Sequence, residues 1–195
     1  SCRFIAETLI ENGIDAKDVS VVDNNSIDRE VSSYKPTHVI IEALWVVPAK
    51  FRELLPLHPN IQWTVRTHSK APFIANEGIA LEWLKGYAEI QEDFDNFTNS
   101  ANSIDFVKQL EHLLGVQVDY LPNIYAGKPS TQPKKKENKF LDCACFGAIR
   151  PLKNTLNQAI AAIIFAEKLG KKLRFHVNGR IEPRGETIFK NPITL

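Results

Sequence analysis

Arginine and lysine stand three residues apart in the stretch Phe146-Gly147-Ala148-Ile149-Arg150-Pro151-Leu152-Lys153-Asn154, between an apolar run and a helical pattern. This arrangement suits anion binding. Gly147 permits a close backbone approach, and the helix that follows offers its first N–H groups and the positive end of its dipole. Arg150 can grip a diphosphate through a two-pronged hydrogen-bond fork, and Lys153 can serve as a mobile point charge on the outer oxygens. The spacing is neither that of a Walker loop nor that of a dinucleotide-binding glycine turn. Read alone, it also fits a solvent-facing basic loop.

Other positions could add chemistry beside it. His68 follows the apolar run Ile61–Arg66, and Asn178 and Gly179 follow the run Leu173–Val177. In an open α/β sheet such strand-to-loop junctions border the ligand crevice. Asn123 and Ser100 stand at similar junctions, where turn or cap roles compete. The five histidines (His38, His58, His68, His112 and His176) lack ligand spacing with carboxylates, so no metal is expected. His176, inside an apolar strand, reads as a core residue. Cys2, Cys143 and Cys145 cannot build a disulfide framework and read as small core thiols.

The elements that must position these residues alternate as βα units do. Helical spacing predicts helices over Arg3–Asn12, Ser26–Tyr34, Pro48–Leu55, Asn76–Ile90 and Ser103–Leu114. Strands are predicted at Asp18–Asp23, Thr37–Ala43, Ile61–Arg66, Phe94–Thr98 and Val116–Leu121. The near-continuous apolar character of Asp18–Asp23 and Thr37–Ala43 is that of parallel strands covered on both faces. Residues 126–138 lose all periodicity and carry Lys134–Lys136, which reads as a solvated linker. A second unit follows, with strand Phe140–Phe146, helix Thr155–Leu169 presenting Leu156, Ile160 and Ile163 to a core, and strand Leu173–Val177. The expected organisation is an N-terminal domain over 1–125, a linker over 126–138 and the beginning of a second domain over 139–195.

Composition limits the partners. The 195 residues carry a net charge of +1, which gives no overall field for nucleic acid or an anionic membrane. The longest apolar stretch, Val39–Val47, is interrupted by Glu42 and falls well short of the roughly 20 residues of a membrane-spanning helix. Without a secretory pattern at its start, the chain reads as cytoplasmic. It contains no methionine, position 1 included, and ends in an apolar run, so it reads as a processed product or a segment.

The order of Val65-Arg-Thr-His68, Phe97-Thr-Asn-Ser100, Val118-Asp-Tyr-Leu-Pro-Asn123, the loop to Asn154, and Arg174-Phe-His-Val-Asn-Gly179 resembles retaining glycosyltransferases of the GT-B fold, the family called glycosyl transferases group 1. The resemblance implies two Rossmann-like domains, both incomplete here, and transfer of a sugar from a nucleoside-diphosphate sugar to an unknown acceptor hydroxyl with retention. It assigns Arg150 and Lys153 to the donor diphosphate, Gly147, Asn178 and Gly179 to the nucleotide-sugar, and His68 to the donor sugar. No cofactor is implied beyond this substrate. The family's pair of glutamates separated by seven residues is not matched, because Glu182 and Glu186 meet Lys190 and Thr194 at that offset. These residues alone are therefore expected to be inactive. A nucleotide-sugar epimerase of the same fold and a non-catalytic phosphate-binding module are the alternatives.

Overall fold

The computed structural model describes residues 2–42, 44–75, 77–125, 139–146 and 154–178. The chain divides into two compact units, Ser1–Lys128 and Pro129–Leu195, and each is described by itself. The linker residues 126–138, Gly147, Arg150, Lys153, Gly179 and the positions beyond it lie outside the described residues.

The first unit opens with helices α1 (Cys2–Glu11) and α2 (Ser26–Tyr34). Strand β1 (His38–Glu42), helix α3 (Pro48–Leu57), strand β2 (Gln62–Thr67), a short α4 (Ala71–Ile74) and α5 (Gly78–Asp93) follow. Strand β3 (Phe97–Ala101), α6 (Ile104–Leu114) and β4 (Val118–Tyr120) complete it. The sheet runs β1-β2-β3-β4 with every neighbouring pair parallel. Such a sheet needs crossover connections, and the sequence supplies helices with definite ends. Pro48 opens α3, where a missing N–H costs nothing. Ser103 Oγ accepts from Phe106 N at 3.3 Å to start α6, and Gly115 stops it at φ 74°, a left-handed conformation that glycine adopts without strain.

One face of this sheet makes the core. Phe51 of α3 meets Trp63, Tyr87 and Phe97 edge-on, with ring centroids 6.3, 5.5 and 4.8 Å apart. Edge-to-face rings gain attraction beyond their buried area. Tyr87 donates its hydroxyl proton to the Val46 carbonyl, so this aromatic is buried without stranding its polar end. Helices α3 and α5 approach closely because residue 86 is glycine: a Cβ there would lie 2.8 Å from Pro48 Cγ. The opposite face is only partly covered, with His38, Ile40 and Gln62 exposed and Thr64 half-buried. Coverage on both faces was the expectation for Thr37–Ala43, and β1 departs from it.

A second departure is Asp18–Asp23, expected as a strand. It is irregular, and Val19, Val21 and Val22 are exposed. A strand needs a neighbour to satisfy its backbone groups, and no described strand pairs with this segment. The strand expected at Phe94–Thr98 begins instead at Phe97, since α5 runs on to Asp93.

The second unit holds parallel strands β5 (Phe140–Phe146) and β6 (Lys172–Asn178), joined through α7 (Thr155–Lys168). The expected core face of α7 is corrected here. Leu156, Ile160 and Ile163 are exposed, whereas Ala162 and Ala166 are buried, because the helix lies on its strands by its small side chains.

Candidate functional site

The carboxyl ends of the first unit's strands converge on one guanidinium. Parallel pairing places Glu42 of β1 directly beside Arg66 of β2, and Arg66 beside Ser100 of β3. His68, just past the end of β2, reaches the same Glu42 oxygen that Arg66 meets. Arg66 is 0% exposed, yet its three kinds of nitrogen are all engaged. Nε donates to the Leu121 carbonyl at 2.9 Å, Nη1 to Glu42 Oε1 at 2.5 Å and Nη2 to Asn123 Oδ1 at 2.5 Å. A buried charge persists only when paired and hydrogen-bonded in this way.

The Leu121-Pro122-Asn123 segment is fixed by the same bonds. Leu121 N reaches the Ala101 carbonyl at 2.9 Å, which carries the chain from β4 across the strand ends. Asn123 Nδ2 donates to the Tyr125 hydroxyl at 3.3 Å, and Asn102 Nδ2 lies 3.4 Å from both the His68 carbonyl and Asn123 Oδ1. His68 Nδ1 sits 3.1 Å from Glu42 Oε1, while its side chain stays 43% exposed. These groups border a cleft of about 280 Å³ that Phe4, Glu42, His68, Asn102, Asn123 and Tyr125 line. Cys2, on the same helix as Phe4, has its thiol pKa raised, first by burial and then by the negative charge of Glu42. It is accordingly held as a thiol and not a nucleophile at neutral pH.

A hollow of similar volume is lined by Gln91, Phe94, Asp95, Thr98, Gln117 and Asp119. Its central amide is committed to the fold. Gln91 Oε1 accepts from Asn99 N and Nδ2, both at 2.8 Å, and Gln91 Nε2 donates to the Gln117 carbonyl at 2.8 Å. The cleft at the carboxyl ends, with an exposed imidazole edge, is the stronger candidate.

Of the residues expected to matter, His68 and Asn123 are brought together there. Ser100 is buried and donates to the Val65 carbonyl at 3.2 Å, a bond within the sheet. Gly147, Arg150, Lys153 and Gly179 lie outside the described residues, and Asn178 is the last residue of β6, with its side chain also outside them. Asn154, in a left-handed conformation at φ 54°, starts α7. His176 is corrected: it is exposed, with Nε2 3.0 Å from Asp142 Oδ1, and not in a core. Arg66 and Glu42 do not stand out in the sequence as functional. Their one signal is a charge at the end of an otherwise apolar strand.

Among the described residues no three histidine, cysteine or acidic side chains come together as metal ligands, and no helix is long and apolar enough to cross a membrane. No family model, no curated protein and no solved structure matches this chain. What stands is an α/β chain with a four-stranded parallel sheet and a two-stranded parallel one.

Proposed function

We propose that the chain is part of a glycosyltransferase of the GT-B type, with Rossmann-like domains, that takes a nucleoside-diphosphate sugar as donor. The observation that carries the reading is the position of Arg150 and Lys153 in chain order. They fall between the carboxyl end of a parallel strand, β5, and the first turn of α7. Loops at such junctions hold phosphates, because strand ends open onto a crevice and the next helix presents its N–H groups. In the transfer, negative charge grows on the departing diphosphate. Arg150 through its fork and Lys153 as a point charge stabilise that charge, which lowers the barrier selectively. Gly147 allows the backbone to approach the phosphate, and Asn178 and Gly179 follow the neighbouring strand as nucleotide-sugar contacts. His68 hydrogen-bonds a sugar hydroxyl. The cleft that His68 borders supports this role, since Arg66 and Glu42 offset each other's charge and leave surroundings suited to a neutral sugar.

Calorimetry with a nucleoside diphosphate tests the phosphate site. Arg150→Ala and Lys153→Ala should each weaken binding at least tenfold, about 1.4 kcal/mol. Unchanged affinity in both variants would remove the reading. In the full-length protein, binding that responds to both substitutions without any sugar transfer would instead favour a phosphate-binding module.

A further inference from the structure

We infer that Glu42 is a positioning residue: it holds His68 as the Nδ1–H tautomer, so that Nε2 faces the cleft as an acceptor for a hydroxyl of a neutral, polyhydroxylated ligand. Glu42 Oε1 already accepts the Arg66 Nη1 proton at 2.5 Å, and a guanidinium can only donate. The same oxygen lies 3.1 Å from His68 Nδ1, so that nitrogen must bring a proton to the contact. In a neutral imidazole the other nitrogen then carries the lone pair. The ring is also anchored at its backbone: Asn102 N donates to the Thr67 carbonyl at 3.2 Å, and Asn102 Nδ2 lies 3.4 Å from the His68 carbonyl.

The anchoring extends one step further back. Arg66 ties Glu42 to Leu121 and Asn123, so the carboxylate that sets the tautomer is itself held by a buried fork. Such support from behind fixes ring orientation as well as the proton's position. A lone pair on Nε2, next to a carboxylate, favours O–H donors and repels phosphate oxygens. Asn102, Asn123 and Tyr125 add amide and phenol groups of the kind that read hydroxyls. The tautomer stands on this geometry alone, whereas calling the ligand a sugar rests on the function proposed above.

The test is a long-range proton–nitrogen NMR correlation on the full chain with 15N-labelled histidine, recorded without nucleotide. His68 should show a protonated Nδ1 and a bare Nε2, the reverse of the form free histidine prefers. Glu42→Ala should return His68 to the Nε2–H form. An Nε2–H tautomer in the unmodified chain would overturn the inference even if the variant fails to fold, and a folded Glu42→Ala that keeps Nδ1–H would overturn the role of Glu42. Added methyl α-glucoside should then shift the His68 Nε2 resonance, while inorganic phosphate should not. The opposite response would overturn the ligand class and leave nucleotide binding at Arg150 and Lys153 as a separate question.

Discussion

Each unit of this protein contains a strand arginine with a histidine two residues further on, and a carboxylate on the parallel neighbour directly beside the arginine. In the first unit these are Arg66, His68 and Glu42; in the second, Arg174, His176 and Asp142. Pairing chemistry and register are the same, and burial is not. The Arg66 and Glu42 side chains are 0% and 14% exposed, while those of Arg174 and Asp142 are 50% and 39% exposed. Arg174 makes a two-pronged contact with Asp142, 2.7 Å on each branch, and lies over the Phe140 ring, but solvent screens the pair. Arg66 has no solvent to fall back on, so the fold must satisfy it through Leu121 and Asn123 as well. Register alone makes an ion pair. Burial turns the ion pair into a scaffold that fixes the histidine and the segment around it.

The largest effect should come from breaking the buried member. Arg66→Ala removes the guanidinium that neutralises the largely buried Glu42 carboxylate and should cost about 3–5 kcal/mol of stability. Denaturant unfolding followed by tryptophan fluorescence would read it cleanly, because Trp45, Trp63 and Trp83 all belong to the first unit. The paired change Glu42→Leu with Arg66→Met should recover much of that loss, since an apolar pair of similar volume carries no desolvation penalty. Arg174→Ala should leave the fluorescence transition in place. A loss for Arg174→Ala as large as that for Arg66→Ala would end the distinction between the two triplets.

A smaller effect probes the rigid frame behind the buried triplet. Gly86→Ala puts a methyl group 2.8 Å from Pro48 Cγ, and the collision of α5 with α3 should cost about 1–3 kcal/mol. Gly78→Ala, in the same helix, meets nothing within 4 Å and should be neutral or slightly stabilising in the same assay.

The smallest effect is electrostatic and belongs to the exposed triplet. Hydrogen bonds from Arg174, and next from His176, hold the Asp142 carboxyl down at about 2. A depressed carboxylate stabilises the folded state above its unfolded pKa, and that contribution disappears as pH falls toward about 2. Carbon-detected NMR titration should place Asp142 there, and Arg174→Ala should move it up toward the ordinary value of 3.8. An unmoved titration would mean that the exposed pair does not act on its carboxylate at all.

Much of the framework could be read from residue order. Helix Ser26–Tyr34 and strand Phe140–Phe146 fall where spacing predicts, as do the Ser103 and Gly115 ends of α6. These features are local, set by caps, turn residues and periodicity within a few positions. What failed depended on distant partners. Asp18–Asp23 has strand-like residues but pairs with no described strand, and α7 has a large apolar stripe yet rests on its alanines. His176 looks internal by its apolar flanks and is exposed, on the same sheet face as Asp142 and Arg174. The candidate cleft shows both sides of this division. His68 could be singled out from its place after a strand, but its partners Glu42 and Arg66 are 24 residues apart in sequence and meet only through the register of β1 and β2.

The most direct trial of the account is an amide NMR titration of the full chain with a nucleoside-diphosphate sugar, carried to concentrations that saturate the phosphate loop. On the function proposed above, His68, Asn102 and Asn123 should shift progressively to an end point, since the buried Arg66–Glu42 pair holds the histidine in place beside the cleft. Saturation of the loop with all three signals unmoved would contradict it.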